Sequence, residues 1–159
     1  MVAHQERSRP FPWKCGHCRQ RAVTQAVVSY ATNVEHDGRV YCVEVPNLTV
    51  TRCEKCGEMV LDDAANQRIS SLFRQQAGLL EPLEIRTNRE RLALTQKQLA
   101  LALGIAEATL SRWETGSQVQ QRALDRLLRL YFGSTEVRSI LSQDDRLTSL
   151  GFSATVPGG

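Results

Sequence analysis

Two Cys-x-x-Cys pairs, Cys15-Gly-His-Cys18 and Cys53-Glu-Lys-Cys56, set the strongest limit on what this chain can fold into. Together they offer four thiolates at the spacing that closes one tetrahedral metal site, so any fold must bring the two pairs together. Gly16 and Gly57 lie in or beside the pairs, where backbone amides turn toward the sulfurs and glycine lowers the steric cost of the turn. Four cysteine ligands leave no coordination position for water or substrate. The metal is therefore expected to be one structural zinc, and the chain not to be a hydrolase.

Other uses of these cysteines fit less well. A disulfide framework calls for an oxidising compartment, yet no targeting segment precedes the first pair and the total of five leaves Cys42 over. Thioredoxin-like chemistry needs one pair, not two. Iron in a rubredoxin-like site uses the same ligands, so an electron carrier stays open as an alternative. Cys42 and His17 read as a strand cysteine and a loop histidine rather than as ligands. No apolar run approaches the length of a membrane span, and the protein is expected to be cytosolic with no membrane partner.

Composition shifts near residue 62, where cysteine has stopped and Leu, Ala, Arg and Gln take over. A chain of 159 residues can hold two small domains. We read 1–12 as a flexible basic arm, 13–61 as a four-cysteine zinc domain, 62–81 as a connecting helix or hinge, 82–145 as a second, helical domain and 146–159 as a tail. Val23 to Val34 and Val40 to Val45 are rich in β-formers around the turn His36-Asp37-Gly38-Arg39. They predict a hairpin, with a third strand if Leu48 to Arg52 adds one after the break at Pro46-Asn47. So small a sheet buries little apolar area, which is why a metal staple belongs there. The fold class is α+β: a small zinc-stapled antiparallel β domain, then an all-α domain of five helices.

In the connecting segment Ile69, Leu72, Phe73, Ala77 and Leu80 share one helical face, with Asp62 and Asp63 at its start and Gly78 at its end. A first helix of the second domain follows over Leu83 to about Leu92. Thr95 then reads as an N-cap completed by Gln98 three residues on. Leu99 and Leu103 face the core, and Gly104 supplies the left-handed residue of a tight turn. Ile105, Leu110 and Trp113 form the buried side of the next helix, closed by Gly116. Two short helices joined this way form a helix-turn-helix. Val119 to Phe132 and a short last helix through Val137, Ile140 and Leu141 complete the five.

The polar side of the second helix would meet DNA. From Arg86 to Arg138 nine basic residues face five acidic ones, a bias that suits phosphate contacts. Arg112 is the principal candidate, since its fork matches the O6 and N7 edge of guanine; Glu107 could accept from cytosine. Ala108 lies one turn from Arg112, with Ser111 on the same side. Gln96 and Thr109 are placed for backbone phosphates. Glu114 is assigned to a structural pairing with a helix arginine such as Arg91.

By these residues the stretch from about Leu83 to Leu141 resembles the Cro/C1-type (XRE-like) helix-turn-helix family, through Gln96, Gly104, Leu110-Ser-Arg-Trp-Glu114 and Gly116. Cys15, Cys18, Val45-Pro46, Cys53-x-x-Cys56-Gly57-Glu58 and Leu61-Asp62 resemble the YgiT-type zinc finger. In this order the two are similar to the MqsA family of type II antitoxins, over roughly residues 13 to 141. The resemblance implies a homodimer formed through the helical domain that represses its own operon at a palindromic operator in double-stranded DNA. It also implies a zinc domain that neutralises a small ribonuclease toxin. The chain departs from the pattern at Ala106, where a Ser or Thr cap is usual, and at Ala108, where relatives use asparagine to read a base. A freestanding zinc-stabilised regulator, or a protein-interaction adaptor, is the alternative.

Overall fold

The computed structural model describes residues 10–142. Most of the expected basic arm and all of the tail lie outside the described residues. The chain divides into two units, the first of residues 1–35 and 40–73, the second of residues 36–39 and 74–159.

The first unit holds, all but the hairpin tip at His36 and Arg39, a four-stranded antiparallel sheet in the order β1 (Trp13–Lys14), β2 (Arg21–His36), β3 (Arg39–Cys53) and β4 (Met59–Val60). Where the sequence suggests a break at Pro46-Asn47, the structure has one continuous strand. Val43 and Val45 are buried, Pro46 and Asn47 are both exposed, and Leu48 and Val50 are buried again. A regular strand would turn Leu48 outward, because alternate residues face opposite sides. Two consecutive exposed residues shift that parity by one, and Asn47 takes up the irregularity at a φ of 53°. All four apolar side chains thereby stay inside.

A second cluster in this unit consists of Cys15, Ala22, Val23 and Cys53, with Trp13 and Cys18 against it. Helix α1 (Asp63–Ala77) begins after Asp62, whose Oδ1 accepts the Ala65 N–H at 2.8 Å, so that residue caps the helix. The Tyr41 ring meets Phe73 edge-on at 5.3 Å.

The second unit carries α2 (Pro82–Arg91), α3 (Gln96–Ala102), α4 (Glu107–Thr115), α5 (Arg122–Gly133) and α6 (Thr135–Leu141), the five expected helices. Its core is Leu80, Ile85, Leu99, Ala100, Leu103, Leu110, Trp113, Leu128, Tyr131 and Phe132. Thr95 caps α3 in the expected box with Gln98. After α3, Gly104 sits at φ 67°, with its N–H donating to Leu101 O and the Ile105 N–H to Ala100 O. These two bonds are the Schellman arrangement that ends a helix in a tight reversal.

Polar contacts that the sequence did not announce fasten the start of this unit. The Leu80 N–H donates to Asp125 Oδ1 at 2.7 Å, and Gln120 Nε2 donates to Leu80 O at 2.8 Å. Arg129 joins Asp125 Oδ2 at 2.8 Å and the Gly78 carbonyl at 3.1 Å. Leu80 is thus held by the buried Asp125 of α5 and by Gln120 just before it, and Gly78 by the exposed Arg129 of α5, in a segment that composition suggests as hinge. The N-terminus of α5 has no cap from its own Gln121, and Asp37 Oδ2 accepts the Arg122 N–H there at 2.6 Å.

Candidate metal centre and nucleic-acid interface

The two cysteine pairs are built on matching knuckles. In the first, the Cys15 N–H donates to Gln20 O and the Arg19 N–H to Cys15 O; in the second, the Cys53 N–H donates to Glu58 O and the Gly57 N–H to Cys53 O. Gly57 supplies the left-handed residue of the second knuckle at φ 77°. In the first, Arg19 takes that role at φ 61°, and Gly16 keeps an ordinary backbone. Gly16 is therefore not what the turn needs. Antiparallel pairing of β1 with β2 and of β3 with β4 delivers the knuckles to one place, where the Glu54 N–H also bonds Ala22 O.

Cys15, Cys18, Cys53 and Cys56 bring all four ligand sulfurs within 4.8 Å of one another. The Cys15–Cys56 and Cys18–Cys53 sulfur separations are both 3.6 Å. A tetrahedral zinc with sulfur at about 2.3 Å requires sulfurs about 3.8 Å apart, so the cluster has the right size. Its charge demands a cation as well. The Cys56 and Lys55 amides favour the Cys53 thiolate against desolvation and hold that thiol down to about 7. At Cys56 the Glu58 amide also favours the thiolate, but desolvation and the neighbouring sulfurs outweigh it and push the thiol up to about 12. Four adjacent thiolates repel unless a metal neutralises them. The four form a tetrahedral-type site consistent with one structural zinc, with no ligand position left over for catalysis. His17 and Cys42 are exposed and stand outside the group.

In the second unit, α4 presents Glu107, Ala108 and Arg112 to solvent, with Thr109 and Ser111 half-buried. Opposite them Leu110 and Trp113 enter the core. Ala106 occupies the N-cap with no side-chain bond, as its lack of a hydroxyl requires. Beneath this face lies a buried ion pair whose partner differs from the sequence expectation. Glu114 is held by Arg89, not Arg91: Nε reaches Oε1 at 2.6 Å and Nη2 reaches Oε2 at 2.9 Å. Helical phase explains the difference, because Arg89 follows the buried Ile85 by four residues whereas Arg91 is exposed. Gln96 joins the pair, its Nε2 donating to Glu114 Oε2 at 2.8 Å. One amide hydrogen of this phosphate candidate is thereby spent inside the fold. Burial alone would raise the Glu114 carboxyl, but the bonds from Arg89 and Gln96 hold it below the usual carboxylate range. These contacts fix α3 against α4.

No helix among the described residues is long and apolar enough to cross a membrane. No curated protein matches the chain. The four-cysteine knuckle pair and the helices that follow it fall within residues 13–137, which match the model of one known family, the antitoxin component of bacterial toxin-antitoxin system, MqsA, and the chain belongs to it.

Proposed function

We propose that this chain is the antitoxin of a type II pair and a sequence-specific, DNA-binding repressor of its own operon. Its α3–α4 pair acts as a helix-turn-helix, and α4 enters the major groove. The exposed row of Glu107, Ala108 and Arg112 over a rigid, ion-paired base carries this reading. In the complex Arg112 pairs with a guanine, Glu107 accepts from cytosine, and Ser111 lies between them. Gln96, through its remaining amide hydrogen, and Thr109 contact backbone phosphates. The protein is a cytoplasmic homodimer joined through the helical unit, so its operator is a palindrome with half-sites about one helical turn apart. The zinc-binding unit neutralises a small ribonuclease toxin, and no step of its action is enzymatic.

A mobility-shift titration of the zinc-loaded protein against DNA upstream of its own gene tests the DNA function. Arg112→Ala should cost about 1–3 kcal/mol of specific binding and relax preference at one base position. Unchanged affinity and unchanged base preference would show that α4 is not the reading element.

A further inference from the structure

The reading face of α4 carries fewer hydrogen-bonding groups than its sequence suggests. Thr115 is exposed, but its hydroxyl donates back to Ser111 O at 2.9 Å and to Arg112 O at 3.2 Å. Ser117 turns its hydroxyl to the same Arg112 carbonyl at 3.3 Å. Glu114 is consumed by Arg89 and Gln96. Thr109 and Ser111 are half-hidden. What projects freely is the Arg112 guanidinium, the Glu107 carboxylate and, one turn before Arg112 on the same side, the Ala108 methyl group.

We propose that Ala108 is a specificity-determining residue that selects thymine. This inference rests on the DNA-reading function proposed above. Four helical residues span about 6 Å, so Ala108 meets a base within about two pairs of the guanine read by Arg112. Of the four bases only thymine shows a methyl group in the major groove, and an alanine methyl is its fitting partner. Adenine or guanine at that position would turn polar edges toward a group that offers no hydrogen bond. Cytosine would leave the methyl-sized gap unfilled and face its amino group to carbon. The operator half-site thus pairs one hydrogen-bonded guanine with a thymine recognised by its C5 methyl.

The test is selection of a randomised duplex on the full-length zinc-loaded protein, followed by replacement of each selected thymine with deoxyuridine, which removes only the methyl. A thymine should be enriched within two pairs of the position that Arg112→Ala relaxes. Deoxyuridine there should weaken binding by about fourfold, the effect of burying one methyl-sized group. Ala108→Gly should bind the thymine and deoxyuridine sites alike, and Ala108→Asn, which restores a hydrogen-bonding amide, should shift preference to adenine. The proposal is overturned if deoxyuridine is tolerated at every position, or if its penalty persists in Ala108→Gly. Sequence enrichment that depends on Arg112 without such a thymine overturns this inference alone. Absence of any enriched sequence takes the DNA-reading function down with it.

Discussion

Replacing Glu114 by alanine tests the ion pair on which the α3–α4 geometry depends. In the native protein the Arg89 and Glu114 side chains are 10% and 1% exposed, and they meet through two hydrogen bonds. Glu114→Ala leaves a guanidinium charge with little access to water and strips Gln96 of its acceptor. Removing one partner of a buried pair costs about 3–5 kcal/mol, whereas replacing both with apolar groups of similar volume is often neutral or favourable. At about 4–8 °C per kcal/mol for a domain of this size, the single change should lower the helical unit's melting temperature by at least about 12 °C. The double variant Arg89→Met/Glu114→Leu should recover most of that loss. Thermal melts followed by circular dichroism at 222 nm on the zinc-loaded chain supply the readout. The acid side follows from the same pair. Because the folded carboxyl is held below its usual range, its contribution is complete above the unfolded value of about 4.3 and disappears as pH falls through the lower folded value. The wild type should therefore lose stability on acidification in a way that the double variant does not. A single-variant loss below about 1 kcal/mol, or a double variant as damaged as the single, would show that an unpaired buried charge is not what Glu114 prevents.

Three further changes probe the local devices. Arg19→Gly places glycine where φ is 61° and should strengthen the first knuckle by about 0.5–1 kcal/mol, seen as slower zinc loss to a competing chelator. Ala106→Ser supplies the missing N-cap of α4 and should stabilise the helical unit by about 1 kcal/mol in urea titration. Cys53→Ser should abolish zinc binding and unfold the first unit while the second, whose apolar core is its own, stays folded; one cooperative loss of both would contradict two independent cores.

Local chemistry was the legible part of this protein. The spacing within each Cys-x-x-Cys pair, the Thr95–Gln98 box and the reversal at Gly104 each depend on residues within a few positions of one another, and each stands where the sequence placed it. Among the left-handed residues Gly104 is legible from its type, whereas Arg19 and Ala93 adopt the same backbone at φ 61° and 55° with no residue-type signal. Pro46-Asn47 reads as a stop because proline and asparagine disfavour strands, but the strand runs on through both, with Asn47 at a φ of 53°. The pairing of Glu114 was right in kind and wrong in partner, since choosing between Arg89 and Arg91 required the phase of α2 to be known to one residue. Bonds from Asp125 and Gln120 to Leu80 left no trace in the sequence at all, because buried polar groups find partners through tertiary packing.

Purification of the tagged protein from its own host at native expression, with mass spectrometry of what accompanies it, tests the antitoxin role most directly. A small protein encoded by the adjacent gene should accompany it at near-equal stoichiometry, retained by the zinc-binding unit. Recovery of the chain alone, with only its promoter DNA, would exclude the antitoxin role and make the protein a freestanding zinc-stabilised repressor.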